Sequence, residues 1–422
     1  MTSSPIEPIP PGRAHRIGTS LKRTFKAFTY RDYRLLWGGA FMSSVGTWMQ
    51  EVAQNWLILT RTGSAFLLGL DAFLGDVPFL LFSLFGGVLA DRFDRRRILL
   101  VSQFVQMLSA FLLAVLIVAG AVQVWMILLL SFVVGLAQSF GGPAYQALVP
   151  TLVDKQDLPN AVALNSIQFN LARVIGPVFA GVAFYKLGAA ACFGLNGLSF
   201  VAVIIAILLL KRGAPIAGSK EKVMDSLKTG LKAVRDAEAL RGLVGLSFIG
   251  SFCAMPLVTF LPVFAREVFH RDAKGYSALL SAFGIGAVLG AVSVAVLGHV
   301  QNKGIIAVAM QMTFGALMVA FSLSRIAYLS YVLLFLAGAA LMVVFALFMT
   351  LVQTNVEDGL RGRVVSVYSL AFRGAMPLGN LAAGFAATLV PAPWVLVADG
   401  VLLVGVGAFV LMRRHPKGVT TL

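Results

Sequence analysis

Residues 86–100 read Gly86-Gly-Val-Leu-Ala-Asp-Arg-Phe-Asp-Arg-Arg-Arg-Ile-Leu-Leu100. Six of the seven residues from Asp91 to Arg97 are charged, and both flanks are nearly pure hydrocarbon. Over all 422 residues only 12% are charged and 59% are hydrophobic. A soluble domain usually carries about 25% charge. A globule of this length could not be coated by so little charge, so the chain is read as lipid-embedded. The charged knot is then a tight turn between two membrane spans.

A helix that crosses the hydrocarbon needs about 20 apolar residues. Working outward from the knot, such runs fall at 33–60, 65–90, 97–119, 123–147, 159–186, 189–210, 240–265, 275–299, 303–323, 327–352, 361–388 and 393–412. Helices satisfy their own backbone groups in lipid. Barrel strands would be shorter and alternating. The expected fold class is an all-α polytopic membrane protein with twelve transmembrane helices.

The net charge of +16 could suggest nucleic-acid binding, but its distribution points to topology. With an even number of spans both termini share a side. That side carries 26 of the 34 Lys and Arg residues, the other side 6, and Arg173 and Arg373 lie inside spans. Positive charge marks the cytoplasmic side. Both termini are therefore expected in the cytoplasm, with the protein in the cytoplasmic membrane, and no nucleic-acid partner is expected. Cys192, Cys253 and the four histidines form no ligand spacing, so no metal or cofactor is expected.

The longest loop divides the spans six and six. The expected division is a disordered cytoplasmic tail at 1–27, a six-helix bundle at 28–210, a linker at 211–239, a second bundle at 240–412 and a tail at 413–422. In the linker, Leu227, Leu231, Val234 and Leu240 share one face among basic residues, which predicts an amphipathic helix on the cytoplasmic leaflet. The halves echo each other: "LVPTLVD" at 148–154 matches "LVQTNVE" at 351–357, and Arg173 and Arg373 each precede a proline by four residues. Such duplication is common in secondary transporters, whose substrate sites lie between the repeats.

Gly87-x-Leu-Ala-Asp91-Arg92-x-x-Arg95-Arg96 resembles the cytoplasmic loop motif of the major facilitator superfamily, with Asp94 where a glycine is usual. "ARVIGPVFAG" at 172–181 is similar in part to the fifth-helix motif of its antiporters, keeping Gly176, Pro177 and Gly181. With "NAVALNSIQFNLARVIGP", these segments resemble the branch of enterobactin exporters and macrolide-efflux proteins over about residues 28–412. The resemblance implies two pseudo-symmetric six-helix bundles. It implies that Asp91 meets the N-terminus of the eleventh span and locks the cytoplasmic gate. Gly87 would then allow close helix approach, while Arg92, Arg95 and Arg96 would hold neighbouring acids and lipid phosphates.

A charge at mid-bilayer is costly and marks candidate sites. Ser44, Thr47, Trp48, Glu51, Gln54 and Asn55 share one helical face, which suits a wet cavity. Glu51 is the first candidate for proton or substrate-cation binding, with a structural salt bridge the alternative. Asp76 lies at mid-depth in the second span, and Asp71 nearer its outer end and more solvated. Superfamily packing implies Glu51–Arg173 and Asp76–Arg373 pairs. Gln138, Asn170 and Gln353 are further cavity candidates.

No P-loop, G-x-S-x-G or His–acid cluster occurs, so no enzyme is expected. The expected function is a monomeric secondary transporter exporting a small amphipathic molecule of drug, macrolide or siderophore class by proton antiport. Its partners would be substrate, protons and membrane lipid. An importer or facilitator on the same fold is the alternative.

Overall fold

The computed structural model describes residues 25–211, 223–297 and 302–413. The expected C-terminal tail beyond Arg413 and the first stretch of the linker, 212–222, lie outside the described residues. Twelve long helices are numbered here α1 (Arg31–Thr62), α2 (Ala65–Arg92), α3 (Arg95–Val118), α4 (Val124–Leu148), α5 (Leu158–Leu187), α6 (Ala189–Leu208), α7 (Glu238–Val263), α8 (Ala273–Leu297), α9 (Lys303–Leu323), α10 (Ala327–Thr354), α11 (Arg361–Ala386) and α12 (Ala392–Arg413). A linker helix, Val223–Asp236, precedes α7. Ten of the long helices are long and apolar enough to cross a membrane. The two below that threshold are α1 and α11, and α1 carries the polar face read from the sequence.

Local chemistry sets the turns. Gly63 ends α1 at φ +64°, a left-handed conformation that costs glycine little. The Ser64 hydroxyl then accepts from Leu67 N–H to start α2. Asp94, in the middle of the charged knot, is the N-cap of α3, accepting from Arg96 N–H at 2.9 Å. A carboxylate there also complements the helix dipole.

In the first half α1 packs on α5 and α6, α2 on α4, and α3 on α4 and α6. Six helices later the same map returns: α7 packs on α11 and α12, α8 on α10, and α9 on α10 and α12. The halves meet along α2–α11 and α5–α8. Small residues set these approaches: a Cβ on Gly69 would collide with the Asn380 carbonyl, and one on Gly181 would press on Ser277.

The buried apolar residues form three cores. One spans both halves, joining Leu57, Ile58 and Leu68 to Phe260, Leu261, Phe264 and Leu396. It lies towards the end opposite the termini, termed the distal end. At the terminal end each half has its own core, with Tyr33, Leu36, Leu148 and Phe200 in one, and Leu347, Phe348, Val364 and Tyr368 in the other. The molecule is sealed distally and split at the terminal end, leaving a cleft between the halves.

Two peripheral expectations change. The linker helix does not lay its whole apolar face on lipid. Val234 and Leu240 are buried in the second-half core with Leu227 beside them, and only Leu231 is exposed. The tail expected at 1–27 also ends early. Residues 1–24 lie outside the described residues, but Ala27 is fully buried and its N–H donates to Asn160 Oδ1 at 2.8 Å. Lys26 Nζ pairs with Asp157 at 2.9 Å, and Tyr30 donates to Asp157 and Asp154 at 2.8 and 2.9 Å.

Candidate functional site

The polar face of α1 divides among three surroundings. Thr47 and Glu51 are exposed on the cleft wall. Ser44 accepts from Gln168 Nε2 at 3.0 Å, and Trp48 packs edge-on against Phe169 at 6.1 Å. The Arg173 guanidinium stands over both rings, 5.2 Å from Trp48 and 5.5 Å from Phe169. Aromatic faces stabilise such a cation where water is scarce. One turn on, Gln54 ties the first half together, while Asn55 crosses to the second and donates to Tyr276 Oη at 3.2 Å. Trp56 stacks on the same tyrosine at 6.4 Å. Arg266 closes the distal seal by donating to the Leu59 carbonyl at 2.6 Å.

Asp71 is not solvated. It is only 6% exposed and accepts from Ser131 Oγ at 2.6 Å and Gln54 Nε2 at 2.7 Å. Gln54 also donates to Ser131 Oγ at 2.9 Å. These bonds use both carboxylate oxygens, so Asp71 acts as a brace among α1, α2 and α4. Asp76, by contrast, is exposed on the cleft, as is Arg373, whose guanidinium sits 4.1 Å over the Phe79 ring.

Glu51 is electrostatically coupled to Asp76, Arg173 and Asp71, and Asp76 to Arg373. Neither expected pair, Glu51–Arg173 or Asp76–Arg373, forms an ion pair within 4.0 Å among the described residues. The arginines lean on aromatic rings instead. The carboxylates are left facing the cleft in the field of the cations, able to take up a cationic group or a proton.

The remaining candidates separate. Gln138 is exposed and accepts from Gln106 Nε2 at 3.3 Å. Asn170 donates back to Ser166 O on its own helix, and Gln353 is exposed at the end of α10. Tyr276, Ser131 and Gln168 were not legible as site residues, because their partners lie far off in sequence. A part-buried Asn196 Nδ2–Gln50 Oε1 bond of 2.7 Å could have been noticed as amides within apolar runs. Among the described residues no three His, Cys, Asp or Glu side chains gather to hold a metal.

The arginines of the knot make contacts within their own half. Arg95 donates to Ala147 O at 3.1 Å, and Arg96 to Ile207 O and Leu208 O at 2.8 and 2.7 Å. These carbonyls end α4 and α6, where cations are favoured. So these arginines brace their own half through backbone carbonyls, while Arg92 is exposed. Gly87 has open space around it in this terminally split state. Asp91 lies in the last turn of α2, and its side chain is outside the described residues. In α5 the motif residues do serve packing. Pro177 is buried, Gly181 meets α8, and a Cβ on Gly176 would collide with Trp48 Cβ.

Comparison with known proteins adds a separate line of support. A family model described as a transmembrane secretion effector matches residues 22–420. Macrolide efflux protein A of Streptococcus pyogenes is 22% identical, covering 89% of this chain and 95% of its own. The staphyloferrin A transporter of Staphylococcus aureus is 26% identical over 82% of this chain and 87% of its own. The multidrug efflux pump Tap of Mycolicibacterium fortuitum is 27% identical over 89% and 94%. A solved bacterial homolog of the human lysosomal transporter Spinster, inward-facing and occupied, superposes with a TM-score of 0.72 at 15% identity, covering 92% and 98%.

Proposed function

From the premise that this chain belongs to the transmembrane secretion effectors of the major facilitator superfamily, and so is a membrane transporter, we propose that it exports a small amphipathic molecule by alternating access coupled to protons. The observation that carries this reading is the cleft. Its distal end is closed by a core shared between the halves, its terminal end is split, and Glu51, Asp76 and Arg373 are exposed within it. We place both termini in the cytoplasm on the Lys/Arg distribution, so the cleft is the cytoplasmic entry.

In this mechanism the substrate enters from the cytoplasm or inner leaflet and rests against Trp48 and Phe169, whose rings suit a flat or macrocyclic scaffold. A cationic group would displace the proton held by Glu51 or Asp76. Reclosure along α2–α11 and α5–α8 then parts the distal core and opens the other side. Protons re-entering reload the carboxylates. Exchange of one proton for one cationic group moves no net charge, so the pH gradient drives it, at about 1.4 kcal/mol per unit per proton. Relatives named for macrolide, siderophore and multidrug efflux support export of such compounds.

The test is transport in proteoliposomes of defined orientation, with a panel of macrolides, siderophores and lipophilic cations. Uphill movement driven by an imposed pH gradient supports proton antiport. Equilibration without coupling supports a facilitator, and movement only towards the terminal side supports an importer.

A further inference from the structure

At the terminal end the linker helix, α7 and α11 splay around a cavity of about 480 Å³. Its floor and walls are Leu231, Val244, Gly245, Phe248, Ile249 and Ala371, and Arg235 and Arg241 stand at its rim. Ala371, Leu378 and Phe385 recur every seven residues on α11, and Leu378 and Phe385 are 41% and 61% exposed. That row lies on the outside of the bundle and would face hydrocarbon. The groove is therefore a bay in the lipid-facing surface, not a branch of the transport cleft. Among the described residues its mouth carries a local excess of positive charge: Lys228, Lys232, Arg235 and Arg241 are all exposed, with Asp236 and Glu238 as exposed acids beside them. The Arg235–Asp236 contact is 3.6 Å and solvent-exposed on both sides, so it holds the guanidinium weakly.

We infer that this bay is a specific site for one anionic phospholipid of the leaflet at the terminal end, with an acyl chain lying along Leu231, Phe248 and Ile249 and the phosphate between Arg235 and Arg241. The apolar channel and the cationic rim match the two parts of such a lipid. A water-soluble anion would use only the rim. A protein partner would have to enter a bay that opens to lipid. The inference rests on the proposed membrane orientation only for which leaflet supplies the lipid. An occupant would bridge the linker helix to α7 and α11, the latter being one of the helices that seals the two halves together.

Purified protein is placed in phosphatidylcholine nanodiscs doped with phosphatidylglycerol bearing an acyl-chain diazirine, photolysed and mapped by peptide mass spectrometry. A phosphatidylcholine diazirine is the second arm. Binding is read without transport, so failure here leaves the transport reading intact. Adducts are expected on the peptides around 231, 245–249 and 371, and more from the glycerol lipid than from the choline lipid, by roughly fivefold for each arginine engaged. Arg235→Gln with Arg241→Gln should bring the two probes level. Gly245→Leu should remove both signals, because open space surrounds the Gly245 position and the added side chain fills the bay. Arg97→Gln, a basic change at the same end but outside the groove, should change nothing. Equal labelling by both lipids in the unaltered protein, or labelling that survives both groove variants, would overturn the inference.

Discussion

Glu51 and Gln54 stand three residues apart on α1 and end in different surroundings. One faces the cleft, and the other is spent on a buried carboxylate. Glu51→Gln should therefore abolish coupling and leave the fold intact. A one-unit pH gradient drives about tenfold accumulation per coupled proton. Accumulation should fall to unity in that variant, with thermal stability unchanged. Persistence of the gradient-driven signal in both Glu51→Gln and Asp76→Asn would remove these residues as carriers. Ser131→Ala has the opposite expectation. It deprives the buried Asp71 of a 2.6 Å donor and should cost about 1–3 kcal/mol, read by thermal scanning in detergent. Gly176→Ala forces a methyl against Trp48 Cβ and the Val45 carbonyl and should cost a similar 1–3 kcal/mol or so. The sequence showed that the α1 face was polar. It could not divide that face into cleft, brace and seal, because Ser131 and Tyr276 come from helices remote in the chain.

At the level of elements, hydropathy alone made the helices legible, and the twelve apolar runs overlap α1–α12 throughout. What single-sequence reading missed were contacts made by charged side chains at helix ends. Arg95 and Arg96 were read as ligands for acids and lipid, and their bonds to the end carbonyls of α4 and α6 went unforeseen. The segment before α1 is another example, since the tail was expected to run to residue 27. Lys26, Ala27 and Tyr30 are instead strapped to the loop and helix start at 154–160. The Tyr30 hydroxyl, donating first to Asp157, is raised to about 12 from its ordinary value. A raised value means the proton is held, so this contribution is complete below the ordinary tyrosine range and is lost only as the pH climbs through about 12. Tyr30→Phe should leave the strap attached by Lys26 and Ala27 alone. Proteolysis near residue 25 should then quicken while transport persists.

For the whole molecule, the packing map repeats six helices on, as duplication in the sequence suggested, but the conformational state was not legible. Periodicity reports which face of a helix is apolar and not which end of two bundles is closed. Alternating access makes a reciprocal demand that spin labels can read. A pair at Lys155 and Glu357, on opposite lips of the cleft, should draw together when substrate and a proton gradient are supplied. A pair at Lys186 and Lys274, across the distal α5–α8 contact, should move apart. Movement of one pair without the other would contradict the mechanism. The unequal character of the two ends has a thermal consequence. Opening distally wets Trp56, Tyr276, Phe264 and their neighbours, whereas closing the terminal cleft hides walls that include Thr47, Glu51, Asp76 and Arg373. Hydrating hydrocarbon raises heat capacity, and dehydrating polar walls does not lower it. The distally open form should thus have the larger heat capacity, and a van't Hoff plot of its population should curve rather than run straight.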